Sequence, residues 1–288
     1  MNTTTVNKHA TPDVTTDATP QAPPNAPSNA LPKVTTRVIN NPQLLDTAEK
    51  QRLTEQFIKV SSAAGSFGKP DPRVVAAWRK IWGDGGTDMG DYHKFVVVED
   101  EQRQVVSFTA AKHLVINDKP VFSGHMAYTL PEYQGTRISG LAWQQLIGPE
   151  DIKKFTGGYI VARTPNPIAY EVANTMVAKM GEHFAIDVEM YPKISERGKA
   201  KNIPIRIIDI AEGALAVIDP SVRLNPLNFV IKESFKHMGS LFTGYDFKCR
   251  SEAVQKFFDD HLSYEHMDGI MLVIELRQRA KGRAVAAA

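Results

Sequence analysis

The stretch "HMAYTLPEYQGTRISGLAWQQLI", residues 125–147, decides the reading. Residues up to Leu130 are β-branched, aromatic or apolar and read as the end of a strand. Pro131 to Gly135 make a bend, and an apolar helix follows. The first turn of such a helix presents backbone N–H groups without intrahelical acceptors and the positive end of its dipole. A strand that hands over to a helix through small residues is therefore suited to hold a phosphate. Thr136 and Ser139 add hydroxyl donors there, and Arg137 a charged one.

Working outward from this corner, the runs "YHKFVVVED", "QVVSFTAAKHLVIN" and "KPVFSGHMAYTL" precede it, separated by the polar turns "DEQR" and "ND". This pattern predicts an antiparallel meander. Two helices are expected before the meander. One carries Leu44, Leu45, Ala48, Leu53, Phe57 and Ile58 at close to helical spacing, and the second starts after Asp71 with Pro72 in its first turn. After the corner, "GGYIVART" reads as a strand and "NPIAYEVANTMVAKM" as a helix with Asn166 as N-cap and Pro167 at its first position. "FAIDVEMYP" and "GIMLVIEL" are further strands, with a mixed segment at about 193–265 between them that contains one clear helix, "SEAVQKFFDDHL". The predicted class is α/β with a mixed, mostly antiparallel sheet flanked by helices.

The ends differ from this body. Residues 1–35 hold six of the 18 prolines and eight threonines, and the first aromatic residue of the chain is Phe57. A segment of that composition cannot bury enough apolar surface to offset the entropy of ordering it, so residues 1–36 are expected to be a disordered tail. An export or targeting role for the tail is the alternative to a plain leader. A single domain is expected over 37–279, with residues 280–288 frayed.

The 288 residues carry 34 basic and 32 acidic side chains, a formal charge of +2. That balance provides no general field for nucleic acid or anionic membrane. No apolar run approaches the roughly 18 residues that span a bilayer, and a cytoplasmic protein is expected, with an exported effector as the alternative. A lone cysteine, Cys249, leaves no intrachain disulfide and no multi-cysteine zinc site, and reads as a packed residue. No metal is expected. "SERGKAK" reads as an exposed basic loop.

The order of elements, together with "TLPEYQGTRISGLAWQQL" and "RTPNPIAYEVA", resembles the GNAT (N-acetyltransferase) superfamily. The resemblance covers about residues 40–190 and the last strand. It implies an acyl-CoA-dependent N-acyltransferase whose co-substrate is acetyl-CoA or another acyl-CoA and whose second partner is an amine acceptor. In that family the strand before the corner splays from the next one, the pantetheine arm lies in the gap, and amides of the turn bind the diphosphate. By that pattern Met126, Thr129, Leu130, Gln134, Gly135, Thr136, Arg137, Ile138, Ser139, Gly140 and Asn166 are the expected cofactor-contacting residues. Arg137 stands where the family carries glycine, and Ser139 where it carries Gly or Ala. Ala173 stands where the family carries a tyrosine acid.

An imidazole titrates near neutrality, which makes His125 the candidate base. Tyr128 and Tyr170 are the candidate acids, each also readable as a core tyrosine. Glu132 reads as solvated, Met176 and Met180 as a core stripe, and Trp78 and Trp82 as a cap on the core or the lining of an acceptor pocket. The alternative to an enzyme is a non-catalytic module that keeps the fold to bind a ligand or protein.

Overall fold

The computed structural model describes residues 33–65, 72, 75, 76, 79, 89, 92–134, 136–236 and 247–279. The expected tail, the second helix with Trp78 and Trp82, and residues 280–288 lie wholly or largely outside these.

Eight strands form one sheet: β1 (Thr35–Asn40), β2 (Lys94–Glu99), β3 (Val105–Ile116), β4 (Lys119–Thr129), β5 (Tyr159–Thr164), β6 (Ile186–Tyr191), β7 (Val230–Ile231) and β8 (Gly269–Gln278). Their order is β1-β2-β3-β4-β5-β8-β6, with β7 paired to β8 off this path. Every pairing is antiparallel except β4 with β5. The parallel pair follows from the chain path, because the corner helix and a second short helix carry the chain back before β5 begins. The helices are α1 (Thr47–Gly65), α2 (Ile138–Leu146), α3 (Pro149–Phe155), α4 (Pro167–His183), α5 (Ile205–Ile218) and α6 (Glu252–His261).

The predicted mixed α/β architecture is thus present, with the meander, α2, α4, α6, β5, β6 and β8 where the sequence pattern puts them. Four elements were not anticipated. β1 begins at Thr35, inside the expected tail, and pairs along its whole length with β2. α3, α5 and β7 are the others, and α5 and β7 lie in the segment read only as mixed.

Alternation along the strands divides the sheet into two faces. On one, Phe57 of α1 stacks on Phe108 at 4.1 Å and meets Phe95 edge-on at 5.3 Å. Arg52 joins Glu49 and Glu99 on this face at 2.8 and 2.7 Å. α5 also lies on this side, across β3 and β8, so close that a Cβ at Gly213 would stand 2.4 Å from Ile116 Cγ2. On the opposite face Phe155 of α3 packs against Phe122 and His113, and the nearly buried Lys94 pairs with Asp151 at 2.7 Å.

Candidate active site

The register of β3 on β4 shifts between Ala110 and Ala111: Ala110 faces Met126 and Ala111 faces Gly124. His125 is the extra residue of this bulge, which bends the strand and re-aims its side chain. The bend coincides with the end of pairing on the other edge. β4 and β5 are joined from Val121↔Tyr159 to Gly124↔Ala162 and no further. β4 nevertheless runs on to Thr129 and β5 to Thr164. Residues 125–129 and 163–164 are therefore not paired with each other, and this unpaired stretch is the candidate opening between the two strands.

A residue that sequence reading passed over sits at the apex. The half-buried Trp143 of α2 lies over Gly124, and a Cβ there would approach its Cη2 and Cζ3 to 2.7 and 2.9 Å. A glycine inside an otherwise apolar and aromatic strand was the signal for this close approach.

The corner that closes the opening is built by local bonds. Leu130 donates its amide to Val106 O at 2.9 Å, and Gln134 donates its own to Pro131 O at 3.1 Å. The Gln134 side chain reaches back to Thr129 O at 3.1 Å, and Thr129 Oγ1 is shared with Ser107 Oγ at 2.8 Å. Thr136 is the functional cap of α2: its hydroxyl donates to Tyr133 O at 2.6 Å and accepts from Ile138 N at 3.3 Å. The first backbone bond into the helix runs from Leu141 N to Arg137 O. The amides of Ser139 and Gly140 precede it, in the first turn, and have no backbone acceptor among the described residues. At Gly140 itself an added methyl would meet no atom within 4 Å among the described residues.

Arg137 takes φ −81° and ψ 0°, an ordinary right-handed conformation, so replacing the family's glycine causes no backbone strain. Its side chain is exposed. Of the cofactor-contacting residues expected from the resemblance, the amides of Leu130, Gln134 and Ile138 are engaged within the corner. Gly135 lies outside the described residues. Asn166 is the N-cap of α4, accepting from Ile168 N at 2.8 Å, which occupies its side-chain oxygen locally.

The three candidate catalytic residues are not gathered together. His125, half-buried, and Met126 are grouped with Tyr92, whose ring lies 5.5 Å from the imidazole and whose hydroxyl donates to Met126 Sδ at 3.7 Å. Lys112 Nζ stands 4.8 Å from the centre of the same ring. Tyr128 lies farther along β4, beside Phe108 at 5.7 Å. Burial pushes its hydroxyl well above the usual phenol range, and the nearby charge of Arg163 offsets only part of that. Tyr170 is elsewhere: it is buried on α4, edge-on to Phe258, and donates to Pro192 O at 2.8 Å. Burial moves it up to about 12, against a smaller opposing contribution from a backbone hydrogen bond. The family's tyrosine position, Ala173, is a half-buried alanine on the same helix.

Sequence reading also missed Arg163. It is the penultimate residue of β5, one place past the last β4–β5 pair, and its side chain is 11% exposed. An arginine near the end of the apolar run "YIVART" was a visible signal, but nothing local indicated its partners.

No known family model matches the chain, and no curated protein sequence does. Solved structures that match part of this chain include a histone acetyltransferase HPA2 and related acetyltransferase from Corynebacterium glutamicum. It shares 10% identity over 56% of this chain and 88% of its own, with a TM-score of 0.36. PaiA N-acetyltransferase from Thermoplasma acidophilum, in complex with coenzyme A, shares 14% identity over 54% of this chain and 91% of its own, at a TM-score of 0.33. An acetyltransferase of the GNAT family from Staphylococcus aureus shares 12% identity over 55% and 86%, at 0.31. These are distant likenesses, and the chemistry of the site rests on its own geometry.

Proposed function

We propose that this chain is an acyl-CoA-dependent N-acyltransferase, with the opening between β4 and β5 as the slot for the thioester arm. The observation that carries the reading is the end of β4–β5 pairing at Gly124/Ala162 while both strands continue, beside the first-turn amides of α2 at Ser139 and Gly140. A slot of this kind exposes strand-edge amides and carbonyls to a ligand that is itself amide-bearing. The N-terminus of α2 suits the diphosphate, with Ser139 and Gly140 offering amides and Arg137 an exposed guanidinium.

In acyl transfer a C–N bond forms as the C–S bond breaks. The attacking amine must be neutral and must lose a proton, and the departing thiolate must gain one. His125, at the bulge, is the candidate to take the amine's proton. Tyr128, held protonated by burial, is the candidate donor to the thiolate. A backbone amide between Met126 and Thr129 is the candidate to polarise the thioester carbonyl. Tyr170 has its proton committed to Pro192 O and takes no part.

Calorimetric titration with CoA and acetyl-CoA tests this. Expected are an affinity on the order of micromolar and roughly three- to tenfold weakening in Arg137→Ala, as the loss of one exposed charge-assisted contact predicts. Absence of binding to acetyl-CoA and to longer acyl-CoA alike removes the reading. A binding module without chemistry is the alternative that Ala173 and the committed Tyr170 favour, and CoA binding without turnover of any amine would identify it.

A further inference from the structure

Arg163 is placed like a ligand-binding group and bonded like one that is incomplete. Among the described residues only Nη1 of its guanidinium is used: it donates to Asp219 Oδ2 at 3.2 Å, to Ser234 O at 3.4 Å and to Ser234 Oγ at 3.5 Å. Among the described residues Nε and Nη2 have no hydrogen-bond partner. The guanidinium carbon lies 5.5 Å from the centre of the Phe235 ring. Burial weakens the hold on its proton, against the opposing effects of Asp219 and Tyr128.

A guanidinium donates from all three nitrogens, and two of those of Arg163 are left for a ligand or solvent. Nε and Nη2 form one edge of the planar group, and their parallel N–H bonds match the two oxygens of a carboxylate. Arg163 lies on the α1 face, by its register with Val161 and Ser123, and so does Tyr128, opposite Phe108. Arg163 thus stands one place past the end of β4–β5 pairing, on the sheet face away from α2. Asp219 is an imperfect internal counter-ion, because it also accepts from Ser221 Oγ at 2.6 Å and Ser221 N at 3.3 Å.

We propose that the Nε/Nη2 edge of Arg163, with Tyr128 and Phe235 beside it, is a carboxylate-binding site in the β4–β5 opening. Resting on the acyltransferase reading, this means that one of the two reactants bears a carboxylate: either the amine acceptor, as an amino acid does, or the acyl group, as a dicarboxylic monothioester does. An arginine that merely ties Asp219 and Ser234 to the end of β5 would need neither.

The test is a titration of the full chain with succinate and with its uncharged diamide, followed by calorimetry and by the Arg163 Nε–H resonance. Succinate is expected to bind saturably and shift that resonance, and the diamide to do neither. Arg163→Gln is expected to weaken succinate at least tenfold. Asp219→Asn removes the competing internal carboxylate and is expected to tighten it. If Arg163→Gln does not fold, Asp219→Asn decides. Equal binding of succinate and diamide, or succinate binding that Asp219→Asn leaves unchanged or weakens, overturns the proposal.

Two turnover arms then locate the source. Acetyl-CoA with glutamate against its diamide places the carboxylate on the acceptor, and succinyl-CoA against acetyl-CoA with an uncharged amine places it on the acyl group. CoA titrated in parallel separates the two claims. Loss of CoA binding alone removes acyl transfer and leaves the carboxylate site, and loss of succinate binding alone removes only the site.

Discussion

Replacing Gly124 by alanine tests the apex of the opening directly. The new Cβ would stand 2.7 Å from Trp143 Cη2 and 2.9 Å from Cζ3, well inside the ~3.5–4.0 Å optimum for carbon atoms. Two ring atoms must therefore retreat by roughly 1 Å, which in a packed region costs about 1–3 kcal/mol. Removing a glycine from a strand interior returns about 0.5–1 kcal/mol through the unfolded chain. A net loss of up to about 2.5 kcal/mol follows, which for a chain of this size is a fall in Tm of up to about 10 °C. The assay is a double-mutant cycle with Trp143→Leu, read by urea unfolding. The shortened side chain removes the clash, so the double variant should be more stable than the sum of the single losses by at least about 1 kcal/mol. Additivity within about 0.5 kcal/mol would refute the steric account, because sites that do not touch add to that precision. CoA affinity gives a second readout of the proposed slot, since Trp143 lies over Gly124, where β4–β5 pairing ends.

Other expectations concern capping, buried hydroxyls and pH. Asn166→Ala removes the hydrogen bond to Ile168 N and should cost about 1 kcal/mol of stability by chemical unfolding. Tyr170→Phe strands Pro192 O and should lower stability by about 1–2 kcal/mol while leaving kcat unchanged; a selective collapse of kcat would restore Tyr170 as the acid. His113 is lowered to about 4, first by burial and then by the charge of Lys154, whose Nζ lies 3.2 Å from Nδ1, while Nε2 has no partner among the described residues. Its folded value lies below the unfolded one near 6.5, so the stability it contributes is fully present above about 6.5 and lost as pH falls toward about 4. His113→Phe should flatten that part of the Tm profile, and an identical slope in wild type and variant would show that the imidazole is not the group responsible. Glu49 is lowered to about 2, foremost by the hydrogen bond from Arg52 and against its own burial. Glu49→Gln should thus lose most stability above about pH 4.3 and little at about pH 2.

The elements that carry the fold were legible because their signals are local. The alternation in "KFVVVE" and "VVSFTAAKHLVI", the Asn166-Pro167 helix start and the bend at Pro131 depend on residues within a few positions of one another, and the strands, cap and corner appear where those signals place them. β1 was hidden because its sequence, TTRVIN, continues a polar tail and becomes a strand only through pairing with the fully buried β2. α5 was hidden in a segment whose neighbours in space, β3 and β8, are distant in sequence.

The site divides in the same way. Sequence by itself determined that a strand meets a helix through a small-residue corner and that His125 and Tyr128 belong to the strand entering it. Only the tertiary structure decided that β4 and β5 part after Gly124 and that Trp143 covers the apex. It likewise decided that Tyr170 turns to Pro192, and that Arg163 meets Asp219 and Ser234 while one edge stays unused. The physical reason is range: hydrogen bonds in a turn and capping of a helix are set by adjacent residues, whereas the partners of Tyr170 and Arg163 lie 22, 56 and 71 positions away.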